Sequence, residues 1–431
     1  MTKQPTLRTA TLCVHAGHKP LPGGSLAVPI FQTACYAFGS SSHAADLFSL
    51  EKAGDIYTRI SNPTTTVFEN RLAALEGGVG ALATASGQAA VLTAIMCICS
   101  AGDEIISGTH IYGGTYTLLS STLRRLGINT RFVDADDLGS VRSAVGERTK
   151  ALFIESISNP RMSVPDIRAI ADVAHESGLP LIVDNTFATP VLCRPFEHGA
   201  DIVVHSTTKY IGGHGTSIGG AIVDSGNFDW GSGRFPEMTA PSGTYGGPSF
   251  VDRFGRAAFI ARARLDIQRD LGACMSPFNA FLLLQGLETL HVRMERHSLN
   301  AMQVANYLEL HPSVKWVAYP GLGSHQSYRN AARTLQNGFG GMLAFGITGG
   351  RSAGEVFADR LHLFTLAANL GDARSLVIHP ASTTHQQLSR EQQATSGVSE
   401  DLVRLSVGIE DVGDLIQDIE QALAAAVGVR S

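Results

Sequence analysis

Residues 201–216 read DIVVHSTTKYIGGHGT. The apolar, largely β-branched run Ile202–Val204 suits a buried strand, and it stops at a cluster of hydroxyls. Lys209, Tyr210 and glycines come next. Lys209 on its own reads in two ways. It is a solvated surface group, or it is an amine held out of bulk water just beyond a strand end.

Similar short apolar runs recur along the chain. They are DEIISG, NTRFVDAD, KALFIES, LPLIVDNT, ADIVVHS and GGAIVDSG. Lacking strict polar alternation, they suit strands covered on both faces. Amphipathic pieces such as DIRAIADVAHESG lie between them, and strand–helix alternation predicts a mostly parallel α/β sheet. The segment NPTTTVFENRLAALEGG predicts a helix with Asn62 as N-cap, Pro63 in the first turn and Gly77–Gly78 as the stop. Val67, Leu72 and Leu75 fall near one face of it.

In open parallel sheets, ligands collect beyond the carboxyl ends of the strands. The residues just after each run are therefore informative. Asn159 comes after KALFIES, Asp184 directly after LPLIV, and Ser206, Thr208 and Lys209 come after DIVVH. Asp184 alone is as readily an ordinary loop start as a functional acid. Placed after apolar residues, however, a carboxylate is costly unless it meets a partner, and a protonated ring nitrogen is one such partner. Partial desolvation beside a cation lowers a lysine's pKa, as Schiff-base chemistry requires. In TASGQAAVLTAI, Gly87 and Gln88 open a helix after a strand-like ALATA. Glycine permits close approach there, and free N–H groups favour phosphate. SGQ alone is a weak motif. Phosphate donors, an acid for a pyridinium, an amide for a phenolic oxygen and a lysine for an aldehyde together describe one ligand, pyridoxal 5′-phosphate. A nicotinamide enzyme fits less well, because no G-x-G-x-x-G comes after the first strand.

Length and composition bound the rest. At 431 residues the chain is too long for one compact core, so two domains are expected. Hydrophobic residues make up 44% and charged ones 16%, which fits extensive burial and an oligomer. The net charge of −5 is spread without a basic stripe, so nucleic acid is not an expected partner. Six cysteines (Cys13, Cys35, Cys97, Cys99, Cys193, Cys274) lack paired metal spacing, and Cys97 and Cys99 inside VLTAIMCICS read as buried thiols. The opening MTKQPTLRTATLCVHAGH has no apolar signal core. No apolar stretch reaches the roughly 20 residues that span a bilayer, so a cytoplasmic protein off the membrane is expected. The reading divides the chain into an extended N-terminal arm (1–61), a cofactor-binding α/β domain (62–261) and a smaller C-terminal α+β domain (262–431). Long helical patterns, RFGRAAFIARARLDIQRDLG and AFLLLQGLETLHVRMERHSLNAMQVANYLEL, lead into strands VKWVAYP and GMLAFGIT and a closing helix, GDLIQDIEQALAAAVG.

YTRISNPT, ATASGQAA, YGGTY, ESISNP, VDNTFATP, RPFEHGADIVVHSTTKYIGGHGT, NLGDARSLVIHPASTTH and RLSVGIED succeed one another in order from about Thr9 to the closing helix. With these motifs the chain resembles the cysteine/methionine-metabolism family of fold-type-I pyridoxal-phosphate enzymes, and is most similar to its sulfhydrylase branch. The resemblance implies an aspartate aminotransferase-like fold. It implies Lys209 as Schiff-base lysine and proton shuttle, Asp184 against the pyridine nitrogen and Asn159 against the phenolic oxygen. Gly87, Gln88, Ser206 and Thr208 would hold the phosphate, and Tyr112 would stack on the ring and assist proton transfer. Tyr57 and Arg59 would reach a neighbouring subunit's cofactor, with Tyr57 also near substrate. That arrangement implies an obligate dimer, paired into a tetramer. Arg404 would clamp the substrate's α-carboxylate, with Asn369 beside it.

The activity so implied is γ-replacement on O-acetylhomoserine by sulfide or methanethiol, releasing acetate. Cystathionine γ-synthase or γ-lyase chemistry, or an O-succinylhomoserine donor, is the alternative. Methionine γ-lyases typically carry cysteine two places after the stacking tyrosine, where this chain has Gly114. Relatives of the sulfhydrylase branch usually show Tyr-His-Gly after a Pro-Ser pair, whereas PSGTYGGPSF (241–250) has Gly246 after Tyr245. That departure bears on the acyl group or the thiol, not on the cofactor. His205, His214, His379 and His385 show no close ligand spacing and are expected to hydrogen-bond rather than bind metal.

Overall fold

The computed structural model describes residues 7–18, 24–241, 243, 247–384, 386 and 397–427. Seven strands form the first sheet: β1 (Gly80–Thr84), β2 (Glu104–Gly108), β3 (Asn129–Val133), β4 (Thr149–Glu155), β5 (Leu181–Asp184), β6 (Ile202–His205) and β7 (Gly220–Asp224). Their order is β1-β7-β6-β5-β4-β2-β3. From β6 across to β3 every pairing is parallel, while β7 runs antiparallel to both its neighbours.

Alternation along each strand feeds two separate cores. Ile182, Ile202 and Val204 face one cluster, and Leu181, Val183 and Val203 face the other. Coverage on both faces is what the apolar runs predict, and it holds for the central strands. The run NTRFVDAD differs. It forms β3 at the sheet edge, with its residues only exposed or half-buried.

The helix Pro63–Glu76 begins and ends where the sequence directs. Asn62 accepts the Thr64 N–H at 2.9 Å. Gly77 takes a left-handed φ of 81° at the other end, a conformation glycine adopts without steric cost. The two long helical patterns are interrupted. The first breaks at Gly255 and then widens into π-type turns over Ala263–Gln268. The second divides at Thr289 into Pro277–Glu288 and Leu290–Leu310.

A second sheet, ordered β10-β11-β12-β9-β8, comprises β8 (Val314–Ala318), β9 (Met342–Ile347), β10 (Thr365–Leu366), β11 (Leu376–Ile378) and β12 (Leu402–Ser406). The closing helix Val412–Val427 packs on its core. Leu290–Leu310 joins the halves: Leu290 and Met294 enter the first sheet's core, whereas Ala301, Val304 and Leu308 enter the second's. The described residues of the first sixty carry two short helices, Thr9–His15 and Ser41–Phe48. All six cysteines are free, and burial pushes the Cys97 thiol up to about 12. No helix among the described residues is long and apolar enough to cross a membrane.

Candidate active site

The carboxyl ends of β4, β5 and β6 lie side by side and bring the singled-out residues together. Asp184 ends β5, and its Oδ1 accepts both the Thr186 N–H at 3.0 Å and the Thr186 hydroxyl at 2.5 Å. The same Thr186 Oγ1 accepts the Ser206 N–H at 2.8 Å, so one threonine ties the acid to the turn after β6. The sequence motifs alone do not single out Thr186. Its signal is nonetheless present in D-x-T, the spacing of an Asx-type turn. Burial holds the Asp184 carboxyl above its ordinary range, and the two Thr186 bonds only partly offset this. A cation placed against it would stabilise the charge.

Lys209 lies in the turn after β6, with its N–H directed to the Ser206 carbonyl at 3.2 Å. Its Nζ donates to Asn369 Oδ1 at 2.6 Å. Burial, and secondarily the charge of Arg404, lower its pKa to about 8. Gly371 allows the 369–372 segment to close on the lysine backbone. A Cβ there would lie 2.6 Å from the Tyr210 nitrogen, at a φ of 71°. The other described lysines are differently engaged: Lys52 pairs with Asp46, Lys315 with Asp401, and Lys150 donates to the Arg234 carbonyl.

Ser86 caps the helix Gly87–Met96 by accepting the Ala89 N–H at 3.1 Å. That leaves the Gly87 and Gln88 N–H groups without a protein acceptor among the described residues, the usual state of an anion-binding helix start. Gly87 is required there. A Cβ would stand 2.6 Å from Ser206 Cβ and 2.8 Å from its Cα. Gln88 Oε1 is buried without a hydrogen-bond partner. Thr208 differs from expectation in its orientation, because its hydroxyl donates to the Gly219 carbonyl at 3.1 Å and accepts that residue's N–H at 3.0 Å.

The second sheet contributes Arg404 on β12. It is a half-buried guanidinium whose Nη1 donates to Asn159 Oδ1 at 3.3 Å, and desolvation lowers its pKa to about 10. Among the described residues no carboxylate lies within ion-pair distance of it. A buried charge without its counterion is costly, so the position suits an incoming anion. Tyr112 precedes the short helix Gly113–Thr117 and leaves its ring half exposed; a Cβ on Gly114 would come within 2.5 Å of that ring. Tyr57 and Arg59 stand together, with the guanidinium 5.3 Å over the ring and donating to the Arg269 carbonyl.

Behind the strand ends lies a second network. Alternation turns Asn185 and His205 away from Asp184 and Ser206, toward the helix Pro63–Glu76. There Glu76 Oε1 meets His205 Nε2 at 2.6 Å and Asn185 Nδ2 at 3.0 Å, the histidine and glutamate side chains being fully buried. Removing one member leaves the others desolvated and unpaired. We therefore expect Glu76→Ala to cost about 3 kcal/mol of stability, read as a lowered Tm by thermal unfolding. Of the other motif histidines, His214 bonds to the Gly212 carbonyl, and His379 to Ser382 and the Glu400 carbonyl. No metal-binding cluster occurs among the described residues. His385 and Tyr245 lie outside them.

A low-pKa amine, a buried acid, an unpaired guanidinium and free helix-start N–H groups fit a phosphorylated pyridine aldehyde and an amino-acid carboxylate. Known proteins agree. A family model described as Cys/Met metabolism PLP-dependent enzyme matches residues 10–424. The O-acetyl-L-homoserine sulfhydrylase of Leptospira meyeri is 50% identical, over 96% of each chain. The homocysteine synthase of Schizosaccharomyces pombe is 51% identical, over 96% of this chain and 98% of its own. Among solved structures, a putative O-acetylhomoserine (thiol)-lyase from Campylobacter jejuni, containing N'-pyridoxyl-lysine-5'-monophosphate, superimposes with a TM-score of 0.94 at 41% identity. That alignment covers 97% of this chain and 100% of the other. Site chemistry, fold and full-length similarity converge, and the chain belongs to the Cys/Met metabolism family of PLP-dependent enzymes.

Proposed function

We propose that this enzyme catalyses γ-replacement on O-acetyl-L-homoserine, using sulfide or methanethiol and giving homocysteine or methionine plus acetate. Relatives named O-acetyl-L-homoserine sulfhydrylase and homocysteine synthase, at about half identity over nearly the whole chain, carry the reading. Pyridoxal phosphate, when bound, supplies an electron sink for charge developing at the donor's Cα. Lys209 would hold it covalently, and Asp184 would pair with its ring nitrogen. Asn159, whose Oδ1 is occupied by Arg404, keeps its amide NH2 for the phenolic oxygen. Gly87, Gln88, Ser206 and Thr208 receive the phosphate, Thr208 by exchanging its bond to Gly219.

The chain's own groups then divide the work on the donor. Arg404 clamps the α-carboxylate, with Asn369 beside it. Lys209, freed as an amine, takes the Cα proton and afterwards serves Cβ. Asn369 steadies that amine, to which it is already bonded at 2.6 Å. Tyr112 covers the ring and assists proton transfer. Its ring lies where any side chain on residue 114 would collide with it, which favours Gly114 in this arrangement.

Tyr57 and Arg59 act on a second subunit's cofactor in this proposal, in a dimer paired to a tetramer. Large apolar side chains support a covering partner: Leu26 is 86% exposed and Ile218 62%. Six free cysteines suit a reducing cytoplasm, and neither nucleic acid nor membrane enters the scheme.

A lysine of pKa about 8 has a sign consequence. The neutral amine is the reactive form, so its fraction climbs as pH rises toward 8 and levels above it. Apo-protein should capture pyridoxal phosphate about five times faster at pH 8 than at pH 7, with little gain from pH 9 to 10. Stopped-flow absorbance checks this, and a rate still climbing about sevenfold from pH 9 to pH 10 would show an ordinary lysine. The function itself is tested by steady-state competition among sulfide, methanethiol and cysteine with O-acetylhomoserine as donor. Turnover with sulfide or methanethiol supports it. Activity with cysteine alone, or with the O-succinyl ester alone, points to the alternatives.

A further inference from the structure

Glu155 is an acid at the site that the cofactor assignments leave unused. It ends β4 as Asp184 ends β5, and the parallel register sets the two opposite each other. Paired positions share a sheet face. Two carboxyls therefore sit side by side at the buried carboxyl edge, and Glu155 is 7% exposed.

Its bonds run to two other segments. Oε1 accepts the Tyr112 N–H at 2.7 Å, from the chain just after β2. The backbone N–H of Asn159, in the turn after β4, also lies against the carboxyl and favours its charged form. The Asn159 side chain is held from its other end, its Oδ1 accepting from Arg404. On its far side Glu155 borders a cavity of about 20 Å³ lined also by His110, Asp136 and Ser158, enough for one water.

We propose that Glu155 is a positioning residue: by accepting the Tyr112 N–H and lying against the Asn159 N–H, it sets the height of the stacking ring and of the amide that meet the cofactor. This rests on the roles given above to Tyr112 and Asn159. In this proposal the carboxyl acts through those two residues. Burial and the neighbouring Asp184 hold its pKa well above the usual carboxylate range. A glutamine keeps nearly the volume of the acid and a carbonyl acceptor equivalent to Oε1.

That equivalence supplies the test. Glu155→Gln, Glu155→Leu and Glu155→Asp are compared with the unmutated holoenzyme. Three readouts are taken: cofactor dissociation constant, hydrogen exchange over residues 109–117 and 156–160, and kcat against KM for the donor. Glu155→Gln should stay within about threefold of wild type throughout, since its carbonyl still accepts the Tyr112 N–H. Glu155→Leu keeps the volume but loses the acceptor. It should bind cofactor about tenfold more weakly, exchange faster at both segments, and lose kcat. A leucine variant equal to wild type overturns the proposal, as does a glutamine variant as impaired as leucine. Should Glu155→Leu not fold, Glu155→Asp, one methylene short, must show faster exchange at 109–117; wild-type exchange there overturns the idea equally. Failure of the unmutated protein to bind the cofactor would be a different result, striking the proposed function rather than this residue.

Discussion

Lys209→Ala should bring turnover down by on the order of 10⁴-fold or more, because in the proposed scheme one substitution removes both the covalent anchor and the base that moves the donor's protons. No neighbouring lysine can substitute. Among the described residues, Lys52 and Lys315 are engaged with carboxylates and Lys150 with a backbone carbonyl. The variant should still fold, since a buried amine that has lost part of its preference for charge contributes little to stability. It should retain some affinity for the cofactor through the helix-start N–H groups and Asp184. Steady-state turnover with O-acetylhomoserine and sulfide checks this. A variant within tenfold of wild type would remove Lys209 from the chemistry.

Asp184→Asn should lower kcat by about 10²- to 10³-fold while leaving the cofactor attached. Asparagine can still accept the Thr186 N–H and hydroxyl, so the link to Ser206 survives. What is lost is the negative charge. A ring nitrogen facing a neutral amide gives up its proton more readily, and the electron sink weakens. The burial that raises the Asp184 pKa makes its ionised form depend on a cation opposite it. Measuring kcat alongside cofactor content separates the outcomes. Full activity with full occupancy contradicts the role, and cofactor loss alone would show Asp184 to be a binding group.

How much of this can be read from the chain depends on which interactions are local. The cap at Asn62, the stop at Gly77, and the strands ending at Asp184 and His205 depend on neighbouring residues, and they stand where periodicity and turn chemistry put them. Lys209, Asp184, Ser206 and Gly87 are legible because strand ends in a parallel sheet converge. Glu155 is not, although it opens the ESISNP motif. Its importance depends on its register with Asp184 and on an N–H forty-three positions earlier. The Glu76–His205 contact spans 129 positions, and nothing in either local sequence announces it. Edge position likewise comes from strand order, which explains why NTRFVDAD looks like an interior strand yet forms exposed β3. The pattern around Gly255 reads as one long helix because helical periodicity persists through the break, whereas the glycine's φ of 52° interrupts the backbone. Tyr57 and Arg59 carry no such local signature, and their assignment to another subunit comes from family resemblance.

Borohydride reduction of the yellow protein, with peptide mass spectrometry of the product, puts the whole scheme at risk in one step. The chain has few lysines, at positions 3, 19, 52, 150, 209 and 315, so the modified peptide is unambiguous. The pyridoxyl group is expected on Lys209 at about one per chain. Finding it on any other lysine, or finding none on a protein that nonetheless turns over O-acetylhomoserine, contradicts the account.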